Sequence, residues 1–121
     1  MPATTRYAVP VKSNDGLSSE VNDHFAMSEH FAILDVKKNR IISVRIVHNR
    51  QDAEKQKSAA EFLVDTGVNI VLTGRIGSCM IRIFMDRDIK LYSGAAGTVE
   101  DAFKSYLEGK LAEVQPSPYQ L

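Results

Sequence analysis

The chain holds a single cysteine, Cys79, among its 121 residues. One thiol excludes an internal disulfide and any zinc-finger spacing. It agrees with a reducing setting, and we expect a cytoplasmic protein. No sign of charge dominates, because fifteen Lys and Arg side chains cancel fifteen Asp and Glu. Without a basic stripe there is no track for a phosphate backbone, which disfavours nucleic-acid binding. No apolar run approaches the length that spans a bilayer. The start, Met1-Pro2-Ala3-Thr4-Thr5-Arg6, has no apolar core of signal-peptide length behind it. No serine stands in a nucleophile elbow, and the strands read at residues 7–11 and 68–72 lack the carboxylates of a two-metal nuclease. Hence we expect no enzyme.

What is present suits one domain over residues 1–121, with a core at about 6–112 and a loose tail marked by Gln115-Pro116-Ser117-Pro118. The 44% hydrophobic and 25% charged fractions are ordinary for a globular chain. Tyr7-Ala8-Val9-Pro10-Val11 reads as a short strand, with Pro10 near its end or unpaired. Residues 12–30 form a long polar loop. Two β-branched runs, 31–36 and 41–47, flank the turn Lys37-Lys38-Asn39-Arg40 and predict an antiparallel hairpin. Ala59, Phe62 and Leu63 set a helix over residues 57–66, stopped by Gly67.

Residues 68–72 read as a buried strand, 78–86 as a helix and 89–92 as a strand. Thr98, with Asp101 three residues on, caps a last helix whose apolar face is Val99, Ala102, Phe103, Tyr106 and Leu107. The order predicts an α/β domain with a mixed sheet, antiparallel first and parallel where helices cross over. Ligand loops gather outside the carboxyl ends of parallel strands, so the loops after Val11, Leu72 and Tyr92 are expected to meet at one edge.

Two of these loops carry chemistry. Val21-Asn22-Asp23-His24-Phe25 offers an imidazole that ligates a metal or moves a proton, with Asp23 placed to orient it. Thr73-Gly74-Arg75-Ile76-Gly77-Ser78-Cys79 opens the second helix with glycines. There Gly74 and Gly77 allow close backbone approach, the amides of residues 76–79 face a bound anion, and Arg75 adds charge. Cys79 in the first helical turn favours thiolate, the metal-binding form. Each group also has a plain reading: a surface histidine, and a small buried thiol on an apolar helix. Gly94 and Gly97 flank a second helix start of the same type. His30 reads as structural and His48 as a strand end without a companion.

The chain resembles the dinitrogenase iron–molybdenum cofactor biosynthesis domains, which include NifX and NafY proteins and the C-terminal part of NifB. The resemblance runs from Tyr7 to about Leu111. It rests on Ala8-Val9-Pro10, His24-Phe25 followed by His30-Phe31, Val68-Asn69-Ile70-Val71, Gly74 and Gly77, and Gly94-Ala95 to Gly97-Thr98-Val99 with Tyr106, Gly109, Lys110 and Leu111. Ala26 and Met27 follow Phe25 where the family usually has glycine. The resemblance implies a ribonuclease H-like fold with a five-stranded mixed sheet, and a role in nitrogen fixation. The implied cargo is an iron–sulfur or molybdenum-containing cluster or its precursor, handled alongside cofactor-assembly proteins.

In that reading His24 is the ligand carried over from the family, whereas Cys79 rests on its helix position. Gly74, Arg75, Gly77 and Ser78 hold the cluster's negative charge. An anion- or nucleotide-binding module and a metal-free protein–protein adaptor are the alternatives.

Overall fold

In the computed structural model, residues 4–23, 25, 28–48 and 59–114 are described, with the side chains of Ala59, Ser78 and Cys79 left out. The strands are β1 (Thr5–Val11), β2 (His30–Lys37), β3 (Arg40–His48), β4 (Ile70–Leu72), β5 (Lys90–Ser93) and β6 (Ala112–Glu113). The helices are α1 (Ala59–Thr66), α2 (Ser78–Asp86) and α3 (Val99–Leu107), and a 3-10 turn occupies Gly16–Ser18.

One sheet runs in the order β3-β2-β1-β4-β5-β6. The pairings β1·β4 and β4·β5 are parallel, and the remaining three are antiparallel. The expected mixed α/β architecture is therefore present, but among the described residues the sheet has six strands and not five. The extra strand, Ala112–Glu113, pairs with Ser93 and Tyr92 and lies between the last helix and the tail, where the sequence predicts no element.

Side-chain alternation on the strands builds two cores, one on each face of the sheet. Tyr7, Val9 and Val11 of β1 join Ala32, Leu34, Ile70 and Leu72 under the Val99, Ala102 and Phe103 face of α3. Ala8, Phe31, Ile33, Val71 and Leu91 pack on the other face with Leu63 of α1 and Phe84 of α2. Strand β1 is buried on both faces because helices cover both. Leu107 leaves the predicted α3 stripe and is exposed.

The β2–β3 hairpin closes more tightly than the four-residue turn its sequence suggests. Lys37 pairs with Arg40, and Lys38 and Asn39 between them take φ values of 54° and 63°. Two successive left-handed residues match the right-handed twist of the flanking strands. The register then shifts: Val36 faces Ile41, but Asp35 faces Ser43. Ile42 is the extra residue of this bulge, which explains why so large an apolar side chain is 59% exposed.

Among the other expectations, Gly67 ends α1 at φ +81°, and Gly109 follows α3 at φ +74°. Pro10 lies near the end of β1, opposite Phe31. Arg6 ties the start of β1 to β2 and to α1. Its Nε donates to Asp35 Oδ1 at 2.9 Å, and its guanidinium also donates to the Thr66 carbonyl at the end of α1.

Candidate functional site

The loops after β1, β4 and β5 meet at one rim of the sheet, as the topology requires. Their backbones are stitched together. Thr73 N–H donates to the Tyr92 carbonyl at 2.9 Å and Ala95 N–H to the Thr73 carbonyl at 3.0 Å. From the long first loop, Val21 N–H donates to the Gly97 carbonyl at 2.8 Å, and that loop's Ser19 carbonyl accepts from Val99 N–H at 2.9 Å. Gly74 stands at the junction. A Cβ built on it would lie 2.9 Å from Asp23 Oδ1 and 3.3 Å from the Ala95 carbonyl oxygen. Only a residue without a side chain permits all three loops to approach so closely.

A buried aromatic set anchors the same loop from the other face. Phe25, 1% exposed, has its ring 5.5 Å from that of Phe31 and 5.7 Å from Phe84 of α2. The contact with Phe84 is edge-on at 83°, the geometry that aromatic quadrupoles favour. Asp23 and Phe25 therefore fix their loop to the α2 side of the rim through two independent contacts.

The two glycine-flanked helix starts differ chemically. At α3 the Thr98 hydroxyl accepts from Asp101 N–H, and the Asp101 carboxylate accepts from Thr98 N–H, a complete capping box. Val99 N–H is taken by the Ser19 carbonyl, and Glu100 adds a second acid to the first turn. An anion there would meet occupied amides and two carboxylates, so this start is not of the same type as that of α2. At α2 the N-cap is exposed Gly77, with no side-chain cap and no acid in the first turn. A Cβ on Gly77 would meet nothing within 4 Å. Exposed Arg75 stands two residues before it. Among the described residues, neither a side-chain cap nor a first-turn acid offsets the positive end of this helix dipole.

The expected site residues are thus placed unequally. Gly74, Arg75, Gly77, and Ser78 and Cys79 by their backbones, lie along the β4–α2 connection and the first turn of α2. His24 lies outside the described residues. Among the described residues, no three His, Cys, Asp or Glu side chains form a cluster that holds a metal ion. His48, read as lacking a companion, has one. It faces His30 across β2–β3 with ring centroids 4.8 Å apart. No local sequence signal gives that pairing, because it depends on the bulge at Ile42.

Tyr7, Tyr92 and Tyr106 form an edge-on aromatic set on the α3 face. Burial raises the Tyr7 phenol above its ordinary range, and its hydrogen bond with Tyr106 raises it further. Burial also raises Tyr92, followed by the influence of Tyr106.

The arrangement defines a class: a small α/β domain presenting stitched loops and one uncapped helix start at the carboxyl ends of its parallel strands. The chain belongs to the family described as dinitrogenase iron–molybdenum cofactor, whose pattern matches residues 5–109. It is 23% identical over 113 residues to an uncharacterized protein of Methanocaldococcus jannaschii, covering 91% of this chain and 92% of that one. A provisionally named NifB protein of Thermotoga, 30% identical, has a similar structure with TM-score 0.74, over 94% of this chain and 98% of that chain. The crystal structure of the protein PH0822 is similar at TM-score 0.79 and 29% identity, over 91% of this chain and 96% of the other. No helix among the described residues is long and apolar enough to cross a membrane.

Proposed function

We propose that this protein is a single-domain, non-enzymatic carrier of an anionic metal–sulfur cluster, or of a cluster precursor, in metallocofactor assembly. The single observation that carries the reading is the contrast between the helix starts. The start of α3 is closed by its capping box, whereas that of α2 has no side-chain cap and no acid in its first turn, with Arg75 two residues before its N-cap. Family membership supplies the class of cargo.

In this reading the amides at residues 74–78 and the Arg75 guanidinium hold the cluster's negative charge. His24 is a metal ligand and Cys79 a second ligand favoured as thiolate by its helix position. Asp23 and Phe25, the sequence neighbours of His24, are themselves fixed to this rim. The partners are cofactor-assembly proteins and the setting is cytoplasmic. We also read the architecture as ribonuclease H-like, supported by the 3-2-1-4-5 order of its first five strands.

Anaerobic titration of the apo-protein with an iron–sulfur–molybdenum cluster tests the proposal. Stoichiometric uptake that is weakened in His24→Ala is expected. Equal uptake by both proteins removes His24 from the site, and no uptake by the wild type removes the cargo.

A further inference from the structure

His30 and His48 stand directly opposite one another at the ends of β2 and β3, at the same rim as the loops described above. His30 is also opposite Val11, the last residue of β1. At the usual strand spacing, the His30 position lies two strands, about 10 Å, from the end of β4. The backbone of His30 is held from outside the ladder as well. The Ser28 hydroxyl donates to the His30 carbonyl at 2.7 Å and lies 3.3 Å from the Val11 carbonyl. The two rings are tilted by 47°, with centroids 4.8 Å apart.

That separation has a specific meaning for coordination. A transition metal bonds imidazole nitrogen at about 2.0–2.1 Å, and the nitrogen lies about 1.2 Å from its ring centre, so two imidazoles on one ion put their centres about 4.5–5.2 Å apart. The observed rings lie inside this range. Glu29, the residue before His30, adds a carboxylate. Its Oε2 is 3.6 Å from His48 Nε2, too long for a hydrogen bond. The gap shows that the Glu29 carboxylate lies within a side-chain rotation of the imidazole pair.

We propose that His30 and His48, joined by Glu29, form a binding site for a single divalent transition-metal ion such as Zn2+, Ni2+ or Cu2+. Two imidazoles and one carboxylate form a borderline donor set that suits these ions and not Mg2+ or Ca2+. The three side chains do not already form a closed cluster. The site is a two-imidazole chelate that Glu29, 73% exposed, completes by a change of rotamer. The bulge at Ile42 is a structural requirement, since without its one-residue shift His48 would face Glu29 instead of His30. This site shares no residue with the proposed cluster site, so each can fail without the other.

The test is calorimetric titration of the full chain with Zn2+ alone, followed by NMR of the histidine ring protons. One ion per chain is expected, with ring shifts at His30 and His48. His30→Gln and His48→Gln should each weaken binding by about tenfold or more, with amide spectra that report an intact fold. Glu29→Gln should weaken it less, and Mg2+ should produce no ring shifts. Zn2+ binding that leaves the His30 and His48 ring signals unmoved, or that both Gln variants retain at full affinity, overturns the proposal.

Discussion

Asp23 and Gly74, fifty-one positions apart in sequence, are in contact so close that a single methyl group on Gly74 would stand 2.9 Å from the Asp23 carboxylate. This contact, and not any one motif, makes the rim a shared surface of three loops. Gly74 has no left-handed φ, so its requirement is for space alone.

Gly74→Ala should therefore destabilise the protein by about 1–3 kcal/mol, the usual cost of forcing an atom into a packed contact. Gly77→Ala should cost less than about 1 kcal/mol, because the position has ordinary φ and open space and loses only part of its capping preference. Urea midpoints of the two variants check the contrast. Amide shifts in Gly74→Ala should extend to residues 21–25 and 94–97.

Phe84 is fully buried and meets Phe25 edge-on. Phe84→Ala should cost about 3–5 kcal/mol, a large share of the 5–15 kcal/mol typical of a domain. If α2 anchors the first loop, hydrogen exchange at Phe25 and Ser28 should accelerate well before global unfolding. Unchanged local exchange would show that the loop is held by its backbone bonds alone.

The raised phenols of Tyr7 and Tyr92 set a direction for alkaline behaviour. The unfolded chain releases these protons near pH 10, whereas the folded chain retains them to higher pH. Their contribution to stability is thus complete below about pH 10 and is lost as pH rises through the folded values. Urea denaturation at pH 8, 10 and 11 should show falling stability across the last interval. Tyr7→Phe should flatten that fall.

Much of the fold is legible in the residues themselves. The Thr98–Asp101 capping box, the glycine stops after α1 and α3, and the start of α2 are written in local chemistry, and each is found in place. So is the meeting of the loops, because it follows from parallel strands. What escapes a local reading is set by partners distant in the chain. The two-residue strand Ala112–Glu113 has no periodicity of its own and exists because the edge of β5 offers hydrogen bonds. Lys38-Asn39 lacks the glycine that usually marks a two-residue turn, so the hairpin closes more tightly than its sequence suggests. The His30–His48 pairing depends on a bulge that no pattern announces. At the site, the glycines at both helix starts look alike, and only the capping hydrogen bonds distinguish the closed start from the open one.

The most direct measurement places an acid at the open helix start. Gly77→Asp supplies a favoured N-cap at a position with room for it, and should raise stability by a few tenths to about 1 kcal/mol. The same carboxylate would occupy the amides and reverse the local charge. Anaerobic titration with the iron–sulfur–molybdenum cluster should then show affinity reduced by about tenfold or more in the better-folded variant. Wild-type affinity in Gly77→Asp would contradict the account, because it would mean that the cluster does not bind at the start of α2.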